Sequence, residues 1–548
     1  MDRHEPRVLQ FLSKPESYPH PAGRIERRET HVSHVFLAGP FAYKLKKPVK
    51  FPFLNASTLA LRKMFCRLEL SLNRRLAPSV YLGLVPLVET RAGLRLGGKG
   101  RMIEWLVKMR RLPEARMLDR LVARRAVSRR DMERIADRLV AFFKRAARSK
   151  TIDRFGLPAQ VRQLVLGNLS ECQPFAGRLL PETDRRFIEA AYKQYLALYE
   201  PVLTRRVRER RIIDGHGDLR CENICLTDSV NIFDCVEFQP AFRCGDMAND
   251  LSFLVMDLEL RGRDDLAKAL VERYRRSIHD PTCDLVLPFY KCHRSLVRGK
   301  VRGLAWLQHP HRVEGRRVRQ LSRRHFKLAR RYAEQFSAPR LIVVGGLIGT
   351  GKSTLARSLA AAFGATWLRT DEIRLREFAP AYRAGCGAGR PERRRGRGFA
   401  RGLYAPHISE LVSQRLIQRA EVLARRGRSV VCDGTFSRAI GREALRDIAQ
   451  RSGASFHFFE CVVPRAVALR RVSKRYAART DLSEARPEHY DRLKAGFEPV
   501  RGWPAQDWTR LSANRPPSAT YHAALTALRR AWLSSRSRRR NDDPGSIA

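Results

Sequence analysis

The chain has 548 residues, a hydrophobic content of 44% and a formal net charge of +52. At about 150 residues per domain, this length excludes one compact domain and predicts three or four, with enough apolar residues for real cores. Arginine supplies most of the charge and is spread over nearly the whole chain, which is typical of a compositional bias rather than of one polyanion-binding patch.

The 11 cysteines form no CxxC pair and no Cys/His spacing typical of zinc. Cys225, Cys235, Cys432 and Cys461 lie in apolar runs, which predicts small core residues in a reducing compartment. The segment MDRHEPRVLQFLSKPE has no apolar signal core, and no run reaches the roughly 18 apolar residues of a membrane span. We therefore expect a cytoplasmic protein without a membrane segment.

The first predicted elements are extended segments at HVSHVFLA and FAYKLKKPV, separated by Gly39 and Pro40. A helix is predicted from about Thr58 to Leu76, and it carries Glu69. Strands follow at VYLGLVPLVE and MIEWLVKMR, so residues 30–112 should form β-rich structure around one helix. Residues 116–210 have helical spacing, and helices resume at MANDLSFLVMDLEL and continue to about residue 335.

Between these helical regions, the stretch GHGDLRCENICLTDSVNIFDCVEF at 215–238 places polar residues around two short strands. His216, Asp218 and Asn223 fit the pattern HxDxxxxN, and Asp234 follows after a hairpin-like interval. In phosphoryl transfer one carboxylate accepts the proton of the acceptor hydroxyl, while an Asn and a second carboxylate hold Mg²⁺. We assign the first role to Asp218 and the second to Asn223 and Asp234, with His216 bracing the loop.

This arrangement resembles the aminoglycoside phosphotransferase and choline kinase branch of the protein-kinase-like fold. The resemblance implies that Lys44 of FAYK pairs with nucleotide phosphates and that Glu69 is its ion-pair partner, with Lys46 as the alternative lysine. It also implies that WLVKMRRLP at 105–113 contacts the adenine, and that Asp246 and Asp250 prop the catalytic loop. Two features depart from the branch: the glycine-rich flap is missing, and Arg220 stands where His is frequent.

After a linker at SAPR, residues 337–340, strands and helices alternate from LIVVGG to VALRRVSKRYA, which predicts a parallel sheet covered by helices. Residues 386–402, rich in Gly and Arg, are predicted to form a mobile loop, and the basic tail is predicted to be disordered.

The first strand of this part leads into a phosphate-binding motif, GxxxxGK[ST]. Glycines at such positions let backbone N–H groups surround phosphate oxygens, Lys352 is expected to reach the β- and γ-phosphates, and Ser353 to hold Mg²⁺. The predicted nucleotide contacts are Gly346, Gly349, Thr350, Gly351, Lys352, Ser353 and Thr354.

Further charged residues follow in the same part of the chain. Asp371 is predicted to orient or deprotonate an acceptor hydroxyl, and Arg374 to grip an anionic group of the substrate. Asp433 ends a strand and either supports Mg²⁺ or is a turn residue. A helix face carrying Arg471, Arg475 and Arg479 is either a lid over the transferred phosphates or a solvated surface.

This part resembles small P-loop kinases of the gluconate kinase, zeta-toxin and polynucleotide-kinase group, through GLIGTGKS, RTDEIR, VVCDGTF and LRRVSKRYA. It departs at Ser483-Glu484-Ala485, where such proteins often have S-D-A. The order of the two parts resembles a bacterial family described as bifunctional aminoglycoside phosphotransferase/ATP-binding protein. The implied fold is an α+β protein-kinase-like two-lobed domain, with lobes at 1–115 and 116–336, followed by an α/β P-loop NTPase domain at 340–510 and a helix with a basic tail at 511–548.

We therefore predict an ATP-dependent phosphotransferase with two nucleotide sites, Mg²⁺ at each, and an unidentified hydroxyl-bearing small molecule as acceptor. Two alternatives stay open: a pseudokinase scaffold with an ATP-gated switch, and a nucleic-acid end kinase suggested by the basic loop at 393–401. The sequence does not name the acceptor of either part.

Overall fold

The computed structural model describes residues 5–51, 54–308, 313–379, 402–478 and 486–541. Residues divide into two compact units, one of 1–181 with 202–332 and one of 182–201 with 333–548. Across the described ranges, no helix combines the length and the apolarity needed to cross a bilayer. Residues 386–401 of the loop predicted at 386–402 lie outside the described residues, as do Arg479, the Ser483-Glu484-Ala485 triplet and residues 542–548. The tail predicted to be disordered, SSRSRRRNDDPGSIA, begins within the helix Pro517–Asn541, so that prediction is wrong for the part up to Asn541.

The first unit begins with a six-stranded antiparallel sheet in the order β1-β2-β3-β8-β6-β7. A small hairpin of two further strands follows β3. The strands are β1 (Glu26–Glu29), β2 (Ser33–Ala38), β3 (Phe41–Lys46), β4 (Lys50–Phe51), β5 (Leu54–Asn55), β6 (Tyr81–Thr90), β7 (Gly93–Leu96) and β8 (Arg101–Arg110). The β-rich structure predicted for 30–112 is therefore present, and it extends upstream to β1.

Alternation along β3 gives this sheet two different faces. Tyr43 and Leu45 point to one face, where they pack with residues of the helix Glu5–Leu12, an element that the sequence did not suggest. Lys44 and Lys46 point to the other face, which is covered by the helix Leu59–Arg74. Both lysines are thereby directed toward that helix.

The helix Leu59–Arg74 begins at Thr58, whose side chain accepts a hydrogen bond from the N–H of Leu61 at 3.3 Å. Its buried residues recur at helical spacing and are Arg62, Phe65, Cys66, Glu69, Leu72 and Asn73. Glu69 is thus a carboxylate within the apolar stripe that faces the sheet, so it requires a cationic partner.

The remainder of the first unit is mainly helical. Its helices of six residues or more are Leu118–Ala123, Arg129–Arg145, Pro158–Ser170, Glu182–Arg208, Met247–Leu260, Asp264–Ile278, Cys283–Gln308 and Val313–Phe336; the fourth and the last also reach into the second unit. Short helices lie at Lys150–Asp153 and Pro240–Arg243. Two small antiparallel pairs carry the 215–238 stretch: β10 (Ile224–Leu226) with β11 (Val230–Ile232), and β9 (Ile212–Asp214) with β12 (Cys244–Asp246).

The second unit is built on a parallel sheet of five strands in the order β14-β15-β13-β16-β17, which confirms the predicted parallel architecture. The strands are β13 (Arg340–Gly345), β14 (Thr366–Arg369), β15 (Val430–Asp433), β16 (Ser455–Val462) and β17 (Trp508–Ser512). The helices are Lys352–Phe363, Thr370–Ile373, Pro406–Arg425, Ala439–Arg451, Arg465–Ala478, Tyr490–Ala495 and Pro517–Asn541. The central strand β13 is buried throughout and directs the following loop to the carboxyl edge of the sheet.

The second unit also contains part of the helix Glu182–Arg208. Within this unit, Gln194 exchanges two hydrogen bonds with the backbone of Ala338, at 2.9 and 3.1 Å. Tyr192 and Tyr195 pack against Phe336 with ring centroids 5.9 and 5.5 Å apart. The second unit therefore does not simply begin at the predicted linker, residues 337–340. It also includes residues 182–201, because apolar contacts tie them to the C-terminal part of the chain.

Candidate functional site

In the first unit, Lys44 lies between two carboxylates from distant parts of the chain. Its Nζ is 2.8 Å from Oε1 of Glu69 and 2.8 Å from Oδ1 of Asp234. Burial lowers the pKa of Lys44, but the negative charges of Asp234 and Glu69 outweigh burial and raise the pKa well above its ordinary value. Lys44 is therefore a permanent cation, placed where the small sheet meets the 215–238 stretch.

Lys46 is the second cation on the same strand face. Its Nζ lies 2.7 Å from Oε2 of Glu69 and 2.5 Å from Oε1 of Glu237. Glu69 thus bridges the two lysines, and their charges overcome the effect of burial and lower its pKa to about 2. The contacts distinguish the two candidate lysines. Of the two, only Lys44 contacts Asp234, whereas Lys46 pairs with Glu69 and Glu237.

The loop at residues 215–218 is held in place by a buried carboxylate. Asp250 accepts hydrogen bonds from the backbone N–H groups of His216 and Gly217, at 2.5 and 2.8 Å. The His216 ring makes two hydrogen bonds: Nε2 donates to the carbonyl of Phe233 at 3.0 Å, and Nδ1 accepts from the N–H of Asp218 at 3.3 Å. These bonds give Asp250 and His216 bracing positions.

At Gly217 the backbone of this loop adopts a conformation that would be strained for any other residue. Its φ is +85°, and a Cβ there would lie 2.8 Å from the carbonyl oxygen of Phe242. The loop therefore approaches the neighbouring backbone more closely than a side chain permits.

Asp218 is clamped by the arginine two residues ahead. Arg220 donates from Nε to Oδ1 at 2.8 Å and from Nη2 to Oδ2 at 2.7 Å, a bidentate pair. Burial raises the pKa of Asp218, but the charge and hydrogen bonds of Arg220 prevail and hold it well below its ordinary value. Asn223 donates from Nδ2 to the backbone carbonyl of Asp218 at 2.9 Å and to its Oδ2 at 3.2 Å.

Asn223 and Asp234 are brought together by the β10–β11 hairpin. The N–H of Phe233, the residue before Asp234, donates to the carbonyl of Asn223 at 3.0 Å. Asp234 has a left-handed φ of +64°, and its side chain is 49% exposed. Because the amide nitrogen of Asn223 is used by Asp218, the amide oxygen and the second carboxylate oxygen of Asp234 are the groups that suit Mg²⁺.

Asp246 supports the loop indirectly, through the helix that follows it. It accepts from the N–H of Ala248 at 2.8 Å, at the start of the helix Met247–Leu260, and binds buried Arg206 through both oxygens at 2.5 and 2.7 Å. Arg206 also binds Asp280 at 2.7 Å. Asp246 therefore organises the helix that presents Asp250.

In the second unit, residues 346–351 form a tight loop between β13 and the helix Lys352–Phe363. A Cβ on Gly346 would lie 2.4 Å from the carbonyl oxygen of Cys461, and one on Gly349 would lie 2.4 Å from that of Ala468. Both residues have positive φ, at +136° and +77°, and Gly351 precedes the helix with φ +82°. The loop conformation is thus restricted to glycine at these positions, and it ends at a helix N-terminus suited to an anion.

The polar residues of the second site meet at the ends of β13 and β15. Ser353 donates from Oγ to Oδ1 of Asp433 at 3.2 Å, and the Lys352 ammonium is 3.4 Å from the carbonyl of Leu347. Burial raises the pKa of Asp433, although Lys352, Ser353 and Arg369 oppose this shift. Thr350 caps the turn by donating to Leu347 at 2.8 Å; Thr354 lies in the first turn of the helix.

The remaining predicted residues have different positions. Asp371 follows β14 in the short helix Thr370–Ile373, at the same sheet edge as Asp433. Arg471 reaches the loop: its Nη1 is 3.7 Å from where a Cβ of Gly351 would be, and its Nη2 donates to Ala513 at 3.1 Å. Arg475 lies one turn later on that helix. Arg374 instead turns to the carbonyl of Leu403 at 2.6 Å and to Ser409, so its side chain organises the protein itself.

Replacing Gly349 by Ala is expected to weaken ATP binding at the second site by about tenfold or more, because the methyl group strains the backbone and displaces the loop. The measurement is titration with a fluorescent ATP analogue in a Lys44→Ala background, so that the first site contributes little. Gly427→Ala is the matched control, since Gly427 also has a positive φ, +67°, but has open space around it. Equal affinity of the two variants would contradict the role of the loop.

The chain is 32% identical over 458 residues to the uncharacterized protein Rv2004c of Mycobacterium tuberculosis (strain ATCC 25618 / H37Rv), covering 83% of this chain and 87% of that protein. The chain belongs to the Rv2004c family. The uncharacterized protein Mb2027c of Mycobacterium bovis matches with the same identity and coverage.

Within this Rv2004c family member, residues 341–500 match the family model described as an AAA domain. The match includes the glycine loop and four of the five parallel strands, so the C-terminal part is a P-loop nucleotide-binding domain. Among solved structures, a choline/ethanolamine kinase family protein from Mesorhizobium loti is 15% identical, with 59% of this chain and 99% of that one covered and a TM-score of 0.35. A gluconokinase from Sinorhizobium meliloti 1021 is 17% identical, with 37% and 97% covered and a TM-score of 0.27.

Sequence reasoning left several polar residues of the first site without a role. Glu237 neutralises Lys46, and its place three residues after Asp234 was the available signal. Asp257 accepts from the N–H of Cys221 at 3.0 Å and so fixes the segment between Asp218 and Asn223. The helix Cys283–Gln308 adds Arg294, which contacts the carbonyl of Gly217 at 3.2 Å.

Proposed function

We propose that this Rv2004c family member is an ATP-dependent small-molecule kinase with two nucleotide sites. The observation that carries the proposal is the convergence on Lys44: Glu69 and Asp234 meet this one cation, and the β10–β11 hairpin ties Asp234 to Asn223 and hence to Asp218. In this proposal residues 1–115 and 116–336 act as the two lobes of an aminoglycoside phosphotransferase-like domain.

In the first site, Lys44 aligns the phosphates of ATP, and Glu69 holds Lys44 in place. Asn223 and Asp234 would hold Mg²⁺, which would supply positive charge to neutralise the phosphates. Asp218 accepts a hydrogen bond from the acceptor hydroxyl and takes its proton. The strand and linker at 105–113 are assigned to the adenine, next to β3 in the sheet.

The pairing of Asp218 with Arg220 is compatible with this role. A carboxylate offers about four lone-pair positions, and Arg220 uses two of them while Asn223 makes one longer contact. The low pKa keeps Asp218 ionised and able to accept, although it makes the group a weak base. A weak base suffices, because phosphoryl transfer passes through a loose transition state that depends mainly on positioning and charge.

In the second site, the backbone N–H groups of 346–351 and Lys352 bind the phosphates of a second ATP. Ser353, supported by Asp433, would hold Mg²⁺, and Asp371 orients a hydroxyl acceptor. Arg471 approaches the loop from the helix Arg465–Ala478, Arg475 follows it by one turn, and both would neutralise the transferred phosphate.

A second candidate function is a pseudokinase scaffold joined to a P-loop switch. The bidentate Arg220–Asp218 pair favours it, because an acceptor hydroxyl must compete with two charge-assisted hydrogen bonds. The two candidates differ in one property: a kinase releases ADP in proportion to acceptor, whereas a switch hydrolyses ATP slowly with or without one.

The test is a screen of a metabolite extract with γ-labelled ATP and Mg²⁺. Wild type is expected to label discrete compounds, with one set lost in Asp218→Ala and another in Lys352→Ala. Label that survives unchanged in both variants would refute both site assignments. Acceptor-independent ADP release, with no labelled product, would favour the scaffold and switch.

A further inference from the structure

A row of arginines on the helix Cys283–Gln308 borders the first site. Arg294, Arg298 and Arg302 recur every four residues, so they lie on the same side of the helix. Flanking members of the row both approach the 215–223 loop: Arg294 contacts Gly217, and Nη2 of Arg302 is 4.0 Å from Oε1 of Glu222. The middle member, Arg298, is thereby directed toward the part of the loop that carries Asp218.

Arg294 is the anchor of this row. It is buried and donates from Nε to Oδ1 of Asn249 at 2.9 Å and from Nη1 to the carbonyl of Gly217 at 3.2 Å. Its guanidinium also stacks on Phe253, at 4.8 Å from the ring centroid. Arg294 therefore fixes the helix against the loop and is not available to a ligand.

Arg298 differs from its neighbours in having no fixed partner. It is partly exposed, and it forms no hydrogen bond or ion pair with any residue that the structure describes. Its charge is nevertheless felt at the site, since Arg298 is among the groups that lower the pKa of Asp218, after Arg220. A guanidinium that lies close enough to influence the Asp218 carboxylate without binding it leaves room for a third group to bind both.

The charge around Asp218 is positive overall. Four guanidinium groups surround three carboxylates, which leaves one positive charge; they are Arg220, Arg261, Arg298 and Arg302 against Asp218, Glu222 and Asp257. His325, which also senses these arginines, adds no charge at neutral pH, because burial lowers its pKa to about 3. A cationic acceptor would meet like charge here, whereas an anionic acceptor would find an unused donor.

We propose that the acceptor of the Asp218 site is a small hydroxyl compound that carries a phosphate or carboxylate group, gripped by Arg298 with Arg302 beside it. The inference rests on the kinase function proposed above for this site. In the reaction, the acceptor hydroxyl oxygen forms a bond to the γ-phosphorus, and the bond to the β–γ bridging oxygen breaks. ADP leaves with that electron pair, and the hydroxyl proton passes to the Asp218 carboxylate.

The test measures binding, so it does not depend on catalysis. Labelled inorganic phosphate and labelled acetate are the probes, in equilibrium dialysis against full-length Lys352→Ala protein saturated with a non-hydrolysable ATP analogue and Mg²⁺. Arg298→Gln is compared with Lys300→Gln, which removes the same charge from the same helix but at a residue paired with Glu171. We expect about 10- to 150-fold weaker phosphate binding for Arg298→Gln, the loss of a charge-assisted hydrogen bond, and no change for Lys300→Gln.

Arg298→Lys guards against a folding defect, because it keeps the charge and should bind phosphate with intermediate affinity. Binding of both probes assigns phosphates and carboxylates to the site, and binding of phosphate alone assigns phosphates. Equal phosphate binding by Arg298→Gln and Lys300→Gln, or Asp218-dependent labelling of choline or kanamycin in preference to sugar phosphates, would overturn the inference. Loss of all Asp218-dependent transfer with intact Arg298-dependent binding would instead remove the proposed kinase function.

Discussion

Asp218→Asn is expected to lower acceptor-dependent phosphate transfer at the first site by about 10²- to 10⁴-fold, the usual contribution of a positioned proton acceptor. The amide keeps the size of the side chain but can no longer take the hydroxyl proton. Affinity for ATP should change little, because the proposed function assigns the phosphate end to Lys44 and Asp234 rather than to Asp218. The measurement is kcat with a labelled acceptor from the extract screen, in the Lys352→Ala background.

Asp228→Asn is the matched control for this substitution. Asp228 lies in the turn between β10 and β11 and is exposed, so the same chemical change at that position should leave the rate unaltered. A rate for Asp218→Asn within a factor of two or three of the control would show that Asp218 takes no part in the transfer.

Glu69→Gln is expected to destabilise the first unit by about 1–3 kcal/mol, because Lys44 and Lys46 each lose a charge-assisted hydrogen bond while Asp234 and Glu237 keep both charges paired. The measurement is a urea titration that follows unfolding of the first unit, and the variant is expected to unfold at a lower urea concentration than wild type. Glu89→Gln serves as control: Glu89 pairs with Arg7 and Arg101 at the surface of the same sheet, where ion pairs contribute little. Equal midpoints for the two variants would contradict the bridging role of Glu69.

The same carboxylate also predicts a dependence on pH. The pKa of Glu69 is lowered in the folded protein from 4.5 to about 2, so its stabilising effect is present above pH 4.5 and is lost as the pH falls toward 2. Wild type should therefore lose stability across this acid window more steeply than Glu69→Gln does. Parallel curves for the two proteins would place the acid sensitivity elsewhere.

Much of the architecture could be predicted because it depends on local patterns. The alternation in FAYKLK predicts a strand, and the glycine spacing after LIVVGG predicts a tight loop at the end of a buried strand. The order of the parallel strands could not be predicted, because pairing of β13 with both β15 and β16 depends on contacts between segments far apart in the chain. The helix Glu5–Leu12 was missed because it is short and its apolar face has meaning only against the sheet.

The arrangement of the first site could not be predicted from local sequence patterns alone. Lys44 and Lys46 share a strand face, so alternation alone could not choose between them; the choice depends on Asp234 and Glu237, which lie almost two hundred residues later. The spacing of Arg294, Arg298 and Arg302 is visible in the sequence, but with 107 Lys and Arg residues such rows recur and carry no information until one faces a carboxylate. Catalytic roles of the residues themselves stay predictions.

The helix Glu182–Arg208 affects how the protein can be dissected. Residues 182–201 pack on the C-terminal part: Ala190 lies against Gly364, at the end of the helix that follows the phosphate loop, and Arg529 donates to the carbonyl of Ala197 at 2.7 Å. A fragment that starts at the linker near 340 lacks this layer, together with Phe336 and the tyrosines that pack on it, and leaves Gly364 and Arg529 without these contacts. The P-loop domain therefore depends on a segment from far upstream in the chain, and a truncation at the linker near 340 would expose the surface that this segment covers.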